Sequence, residues 1–173
     1  VNPNGTWVKK TGESAKIQMF ADGSWCYEYK DSEITYGTPD GRFGAVYLAR
    51  VNARDIENLG AYDYFSYGNW VRNDPSAATP VMGAPTGEMS VAYNSYLGRF
   101  VSLGQSDNGV VMRTADNPAG PWTPGELVVP MNNPPTGYAP FIHPWSQGST
   151  LYFTYSVSVG YQVYLMRLPL RRD

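Results

Sequence analysis

Two short runs of this chain carry apolar side chains on both faces of what reads as a strand, and this constrains the fold more than any other feature. In Gly109–Thr114, Val111 points to one side while Val110 and Met112 point to the other; in Ala45–Asn52, Val46 and Leu48 oppose Tyr47, Ala49 and Val51. Successive side chains of a strand alternate between faces, so an apolar set on each face requires cover on each face. Small sheets sandwiched between neighbours around an axis, the blades of a β-propeller, meet that requirement. Helical periodicity is confined to Asn52–Leu59, where Asp55, Ile56 and Leu59 suit a turn or two.

The remainder reads as strands at Lys16–Ala21, Ser24–Tyr29, Glu33–Gly37, Ala45–Asn52, Ala61–Tyr67, Met89–Asn94, Arg99–Leu103, Gly109–Thr114, Tyr138–His143, Thr150–Val157 and Tyr161–Leu168. Asn94-Ser95-Tyr96-Leu97-Gly98-Arg99 has the composition of a hairpin connection. The expected fold class is all-β, with antiparallel sheets forming a partial propeller of about three blades.

A repeat points the same way. Gly5-Thr6-Trp7, Gly68-Asn69-Trp70 and Gly120-Pro121-Trp122 recur with Trp-to-Trp spacings of 63 and 52 residues, lengths that suit one blade with variable loops. The alternative is that Gly-x-Trp matches arise by accident in a chain rich in both residues. The division places blades at about 14–72, 85–130 and 136–170 of one partial domain, with 1–13 as the outer strand of a preceding blade. Three blades cannot close a ring without leaving apolar faces in water, so an upstream segment or another polypeptide is expected to complete it.

Charged residues make up 16% of the chain and the formal net charge is -2, which leaves no basic stripe for nucleic acid. No apolar run approaches the length of a membrane-spanning helix. The chain begins at Val1 rather than Met, which fits processing or trimming upstream and permits a secreted or cell-surface location. Cys26 is the single cysteine and reads as a strand residue without chemistry; one cysteine excludes an internal disulfide and a multi-cysteine metal site. With His143 as the one histidine, zinc is not expected, and no metal ligands are assigned. Calcium stays open at this level, because scattered Asp, Asn and carbonyl oxygens bind it without a sequence signature.

Several linked segments resemble a known family. Tyr36-Gly37-Thr38-Pro39-Asp40-Gly41-Arg42-Phe43-Gly44 with Val46-Tyr47-Leu48-Ala49-Arg50-Val51 is the first, and Glu88-Met89-Ser90-Val91-Ala92-Tyr93-Asn94-Ser95-Tyr96-Leu97-Gly98-Arg99 the second. Val111-Met112-Arg113-Thr114-Ala115 with Gly120-Pro121-Trp122 and Tyr161-Gln162-Val163-Tyr164-Leu165-Met166-Arg167 follow in family order. From about Thr6 to Leu168 the chain is similar to the C-terminal blades of the endo-D-arabinanases, glycoside hydrolases acting on mycobacterial arabinogalactan and lipoarabinomannan. The resemblance implies a five-bladed propeller with a carbohydrate cleft at one end of its axis and a poly- or oligosaccharide as partner. The chain departs from the family in lacking the N-terminal half, where related five-bladed glycosidases carry an essential aspartate.

Glycoside hydrolysis uses two carboxyl groups, one protonating the leaving oxygen and one acting as base or nucleophile. Glu88, following Gly87 at the start of an inner-strand-like segment, is the leading candidate acid; its structural alternative is pairing with an arginine between blades. Asp40 is a second catalytic candidate, although Pro39-Asp40-Gly41 is first a turn signature. Arg42 and Arg113 are candidate substrate-binding cations or inter-blade ties. His143 in Phe141-Ile142-His143-Pro144-Trp145 is a candidate substrate contact at a strand end. Tyr138, Trp145 and Tyr93 offer aromatic faces to sugar C–H groups or to packing. The reading is thus a hydrolase component on furanoside cell-wall glycans when the ring is complete, or else a non-catalytic carbohydrate-binding or assembly module.

Overall fold

A computed structural model describes residues 16–19, 25–28, 34–39, 44–132 and 137–172. The chain divides into two compact units, Val1–Ala84 and Pro85–Asp173.

In the first unit, β1 (Lys16–Met19) pairs antiparallel with β2 (Trp25–Glu28), and Cys26 stands in β2 opposite Gln18. β3 (Ile34–Gly37), β4 (Gly44–Arg50), β5 (Asp63–Ser66) and β6 (Asn69–Arg72) form an antiparallel meander, and β7 (Met82–Thr86) also pairs with β4. The helical stretch expected in 52–59 consists of two single 3-10 turns, Ala53–Asp55 and Leu59–Ala61, started by the side chains of Asn52 and Asn58. Between them Ile56 is buried with Ala49, Val51 and Tyr62, and the Tyr62 hydroxyl donates to the Ile56 carbonyl at 2.7 Å.

The second unit holds two sheets. β8 (Met89–Asn94), β9 (Arg99–Ser106), β10 (Gly109–Ala115) and β11 (Glu126–Pro130) form one, with β8 at one edge. β12 (Gly137–Ile142), β13 (Thr150–Val157) and β14 (Gln162–Pro169) form the other. Their facing sides make one core from Val101, Leu103, Val110, Val129, Ile142, Leu151, Phe153 and Tyr155. β9 shows why the apolar pattern covers both faces: Val101, Leu103 and Gln105 turn toward the second sheet, and Ser102 and Gly104 on the other face are buried too. β14 departs from that expectation, since most of its residues, including Val163 and Leu165, are exposed.

The 94–99 connection is a hairpin as expected. Asn94 pairs with Arg99, its side chain accepts from the Leu97 amide at 2.8 Å, and Gly98 takes the left-handed backbone that closes the turn. The Gly-x-Trp repeat also has a structural counterpart. Gly68 lies in the β5–β6 connection and Gly120 in the β10–β11 connection, the third-to-fourth strand link of each four-strand meander. Gly5-Thr6-Trp7 lies outside the described residues. The protein is all-β, its antiparallel sheets consistent with a partial propeller.

Candidate functional site

The chain enters β8 through a bulge. The Gly87 amide donates to the Gln105 carbonyl at 2.8 Å while the Gln105 amide donates to the Glu88 carbonyl at 3.0 Å, setting two residues against one. Such an irregularity re-aims the side chain that it carries, and here it carries Glu88, which is half-buried. Gln105 then reaches the second sheet, its side-chain amide donating to the Gly137 carbonyl at 3.2 Å. Tyr138, half-buried, follows directly. A second tie, from the Ile142 amide to Ser90 Oγ at 3.1 Å, holds β12 against β8. Glu88 and Tyr138, singled out separately in the sequence, thus come to the starts of two adjoining strands with Gln105 between them.

Behind this pair lies a polar floor. Tyr155 occupies the space where Gly137 has no side chain, and its hydroxyl is buried with no hydrogen bond. Gln105 Oε1 is likewise buried and unbonded. Burial pushes the Tyr155 hydroxyl above the ordinary phenol range, so it stays protonated and available as a donor. Sequence reading passed over both residues. The available signal was a glutamine at the third place of the alternating Val101, Leu103, Gln105 face, a polar group on a core-facing row.

The other candidates lie elsewhere. Arg113 sits opposite Ser102 in the register and therefore on the sheet face turned away from Gln105, with its guanidinium over Gly125. Burial lowers its pKa. His143 and Trp145 follow the far end of β12, separated from Tyr138 by the length of that strand. Tyr93 packs edge-on against Phe100 with ring centroids 5.3 Å apart. Asp40 and Arg42 lie outside the described residues.

Glu88 is the one described carboxylate of the second unit that is not exposed: Asp107, Asp116 and Glu126 are all exposed, and Asp116 accepts from Arg99 Nε at 2.6 Å. The arrangement sets a half-buried acidic residue, an aromatic residue and a buried amide at neighbouring strand starts. Among the described residues no group of three or more His, Cys, Asp or Glu side chains forms a metal site. In the first unit a cavity of about 390 Å³ opens over Thr35, Gly37, Tyr47, Ala49 and Tyr64.

Fold and site define a propeller-type β protein with a polar, aromatic-flanked strand entrance. The chain belongs to the family described as Domain of unknown function (DUF4185), which it matches over residues 3–167. It is also similar to "Notoamide biosynthesis cluster protein J" of Aspergillus sp. (strain MF297-2), at 27% identity over 171 residues covering 92% of this chain and 41% of that protein. The chain thus spans less than half the length of that relative.

Proposed function

We propose that this chain is the glycan-contacting part of a carbohydrate-active propeller resembling the endo-D-arabinanases, and that Glu88 is its acid. The observation that carries the reading is the bulge at Gly87 and Glu88, which sets a half-buried acidic residue, its Oε2 buried, just ahead of β8, beside the strand start where Tyr138 stands. In this role Glu88 protonates the leaving oxygen of a furanoside bond, Tyr138 packs on the sugar's C–H face, and a second carboxylate comes from outside the described residues. The substrate class is a furanoside-rich cell-wall glycan, which places the protein's work outside the cell or at its surface. The curated relative's name ties that protein to a biosynthesis cluster and states no substrate.

A second reading, a non-catalytic carbohydrate-binding module, draws on the exposure of Asp107, Asp116 and Glu126. Arabinogalactan turnover and binding by the parent chain, extended by any segment or partner that completes its ring, and by its Glu88→Gln variant separate the two. Turnover lost with binding kept supports the hydrolase. Binding by the parent without turnover supports the binding module, and a parent that neither binds nor cleaves overturns both.

A further inference from the structure

Trp145 is 70% exposed, yet its loop is among the most heavily tied segments of the second unit. Asn94, itself buried, donates from its side chain to the Ser146 and Gly148 carbonyls at 2.8 and 3.2 Å. Ser95 Oγ donates to the Gln147 carbonyl at 2.6 Å, and the Gln147 side chain returns a bond to the Tyr93 carbonyl at 3.3 Å. Ser146 Oγ accepts from the Tyr152 amide at 2.7 Å. His143 lies against the indole, tilted 47° to it with ring centroids 3.8 Å apart, and His143 Nδ1 accepts the Trp145 amide at 3.3 Å.

Fixing a large exposed ring in advance removes the ordering cost that a ligand would otherwise meet. Its surroundings indicate the ligand's chemistry. The stretch from His143 to Ser149 contains no Asp, Glu, Lys or Arg. Ser95, Gln147, Gly148 and Ser149 beside it are exposed and uncharged. Arg172, which reaches the same hairpin, is engaged by the Tyr96 carbonyl at 2.7 Å and by the Tyr96 ring. The exposed apolar residues of β14 lie toward the other end of their sheet: Val163 pairs with Ser156, whereas the Trp145 loop leads into Thr150, which pairs with Pro169. An exposed indole on a heavily tied loop, with uncharged hydrogen-bonding residues beside it in that loop and at Ser95, matches a sugar ring, apolar on one face and hydroxylated at its rim, better than an apolar protein surface or a polyanion.

We infer that Trp145, supported by His143, is a second glycan-binding platform, separate from the Glu88 entrance and placed at the opposite end of β12, that takes the C–H face of a neutral saccharide unit. The inference does not rest on Glu88 having any catalytic role. Native electrophoresis in gels cast with arabinogalactan tests it on the parent chain, Trp145→Ala, Trp145→Phe and Tyr161→Ala, the last an exposed aromatic away from the Trp145 loop, with thermal melts to establish that each is folded. The expected result is that Trp145→Ala weakens retardation about tenfold, Trp145→Phe recovers part of it, and Tyr161→Ala is retarded like the parent. Parent-like retardation of Trp145→Ala overturns the platform while leaving the Glu88 reading intact; a parent chain that is not retarded also overturns the platform, and its turnover of arabinogalactan then decides the Glu88 reading separately. Should Trp145→Ala fail to fold, quenching of the parent's tryptophan emission by soluble arabinogalactan, absent in Trp145→Phe, decides the same question.

Discussion

Tyr155 fills the place of the side chain that Gly137 lacks: its ring and hydroxyl lie where a Cβ on residue 137 would have to go. Tyr155 is fully buried in the core shared by the two sheets, so it has no room to retreat. Gly137→Ala is expected to cost about 3 kcal/mol through overpacking. A fall in the urea midpoint with little change in slope checks it.

The hydroxyl of the same tyrosine gives the opposite sign. Being buried without a hydrogen bond, it contributes a desolvation cost, and Tyr155→Phe is expected to be neutral or to stabilise by up to about 1 kcal/mol. Its burial, with that of Tyr36, also sets a pH dependence, because both hydroxyls are pushed above the ordinary phenol range. Above about pH 10 the unfolded chain releases these protons while the folded chain keeps them. Stability is therefore full below that pH and falls above it by up to about 1.4 kcal/mol per pH unit for each tyrosine. Urea midpoints between about pH 9 and 11 should fall in the parent and fall less steeply in Tyr155→Phe.

Asp63 stands between two cations on neighbouring strands. Its carboxylate meets Arg50 Nε at 3.1 Å and Arg72 Nε at 3.0 Å, matching the register in which all three residues lie in one cross-strand row. Arg50 also lies over the Trp70 ring at 4.4 Å. Asp63→Ala leaves two like charges side by side and is expected to cost about 1–2 kcal/mol, more than Arg72→Ala, whose guanidinium is largely in water. Denaturant titration at low and high salt tests this, and the difference between the variants should narrow at high salt.

Asn94 joins two loops. It is 1% exposed, accepts from the Leu97 amide within its own hairpin and donates to two carbonyls of the Trp145 loop. Asn94→Ala is expected to destabilise by about 2–3 kcal/mol. It should also loosen Trp145, read as a drop in the steady-state anisotropy of tryptophan emission at temperatures where the variant remains folded.

Gly37 points into the cavity of the first unit, with no atom within 4 Å of where its Cβ would lie and no left-handed backbone to preserve. Gly37→Val is expected to stabilise by about 0.5–1 kcal/mol, because a β-branched residue suits a strand better than glycine. A rise in the thermal midpoint confirms it, and a fall shows that the cavity has no room for the side chain.

Most strands were legible because their signal is local. Runs such as Thr150–Val157 alternate in burial as their residues alternate in polarity, and Asn94-to-Arg99 carries its own turn chemistry. β6, β7 and β11 were not in the strand reading for an equally local reason. Met82–Thr86 contains Gly and Pro, Glu126–Pro130 follows a proline-rich loop and ends in another proline, and Asn69–Arg72 follows a glycine turn. Each is a strand because a partner supplies the backbone bonds that its own composition does not favour. Of the site, Glu88, Tyr138, His143 and Trp145 were legible as residue types in suggestive places. Their grouping was not, because it depends on which end of which strand meets which neighbour.

The sequence by itself determined the all-β class, through alternation and turn residues acting over a few positions. Tertiary structure decided that Gln105 crosses from β9 to Gly137 and sets the starts of β8 and β12 side by side, that Arg113 faces away, and that His143 and Trp145 stand at the other end of β12. The physical reason is that strand pairing and face-to-face packing join residues far apart in the chain, and no local propensity encodes which of them will meet.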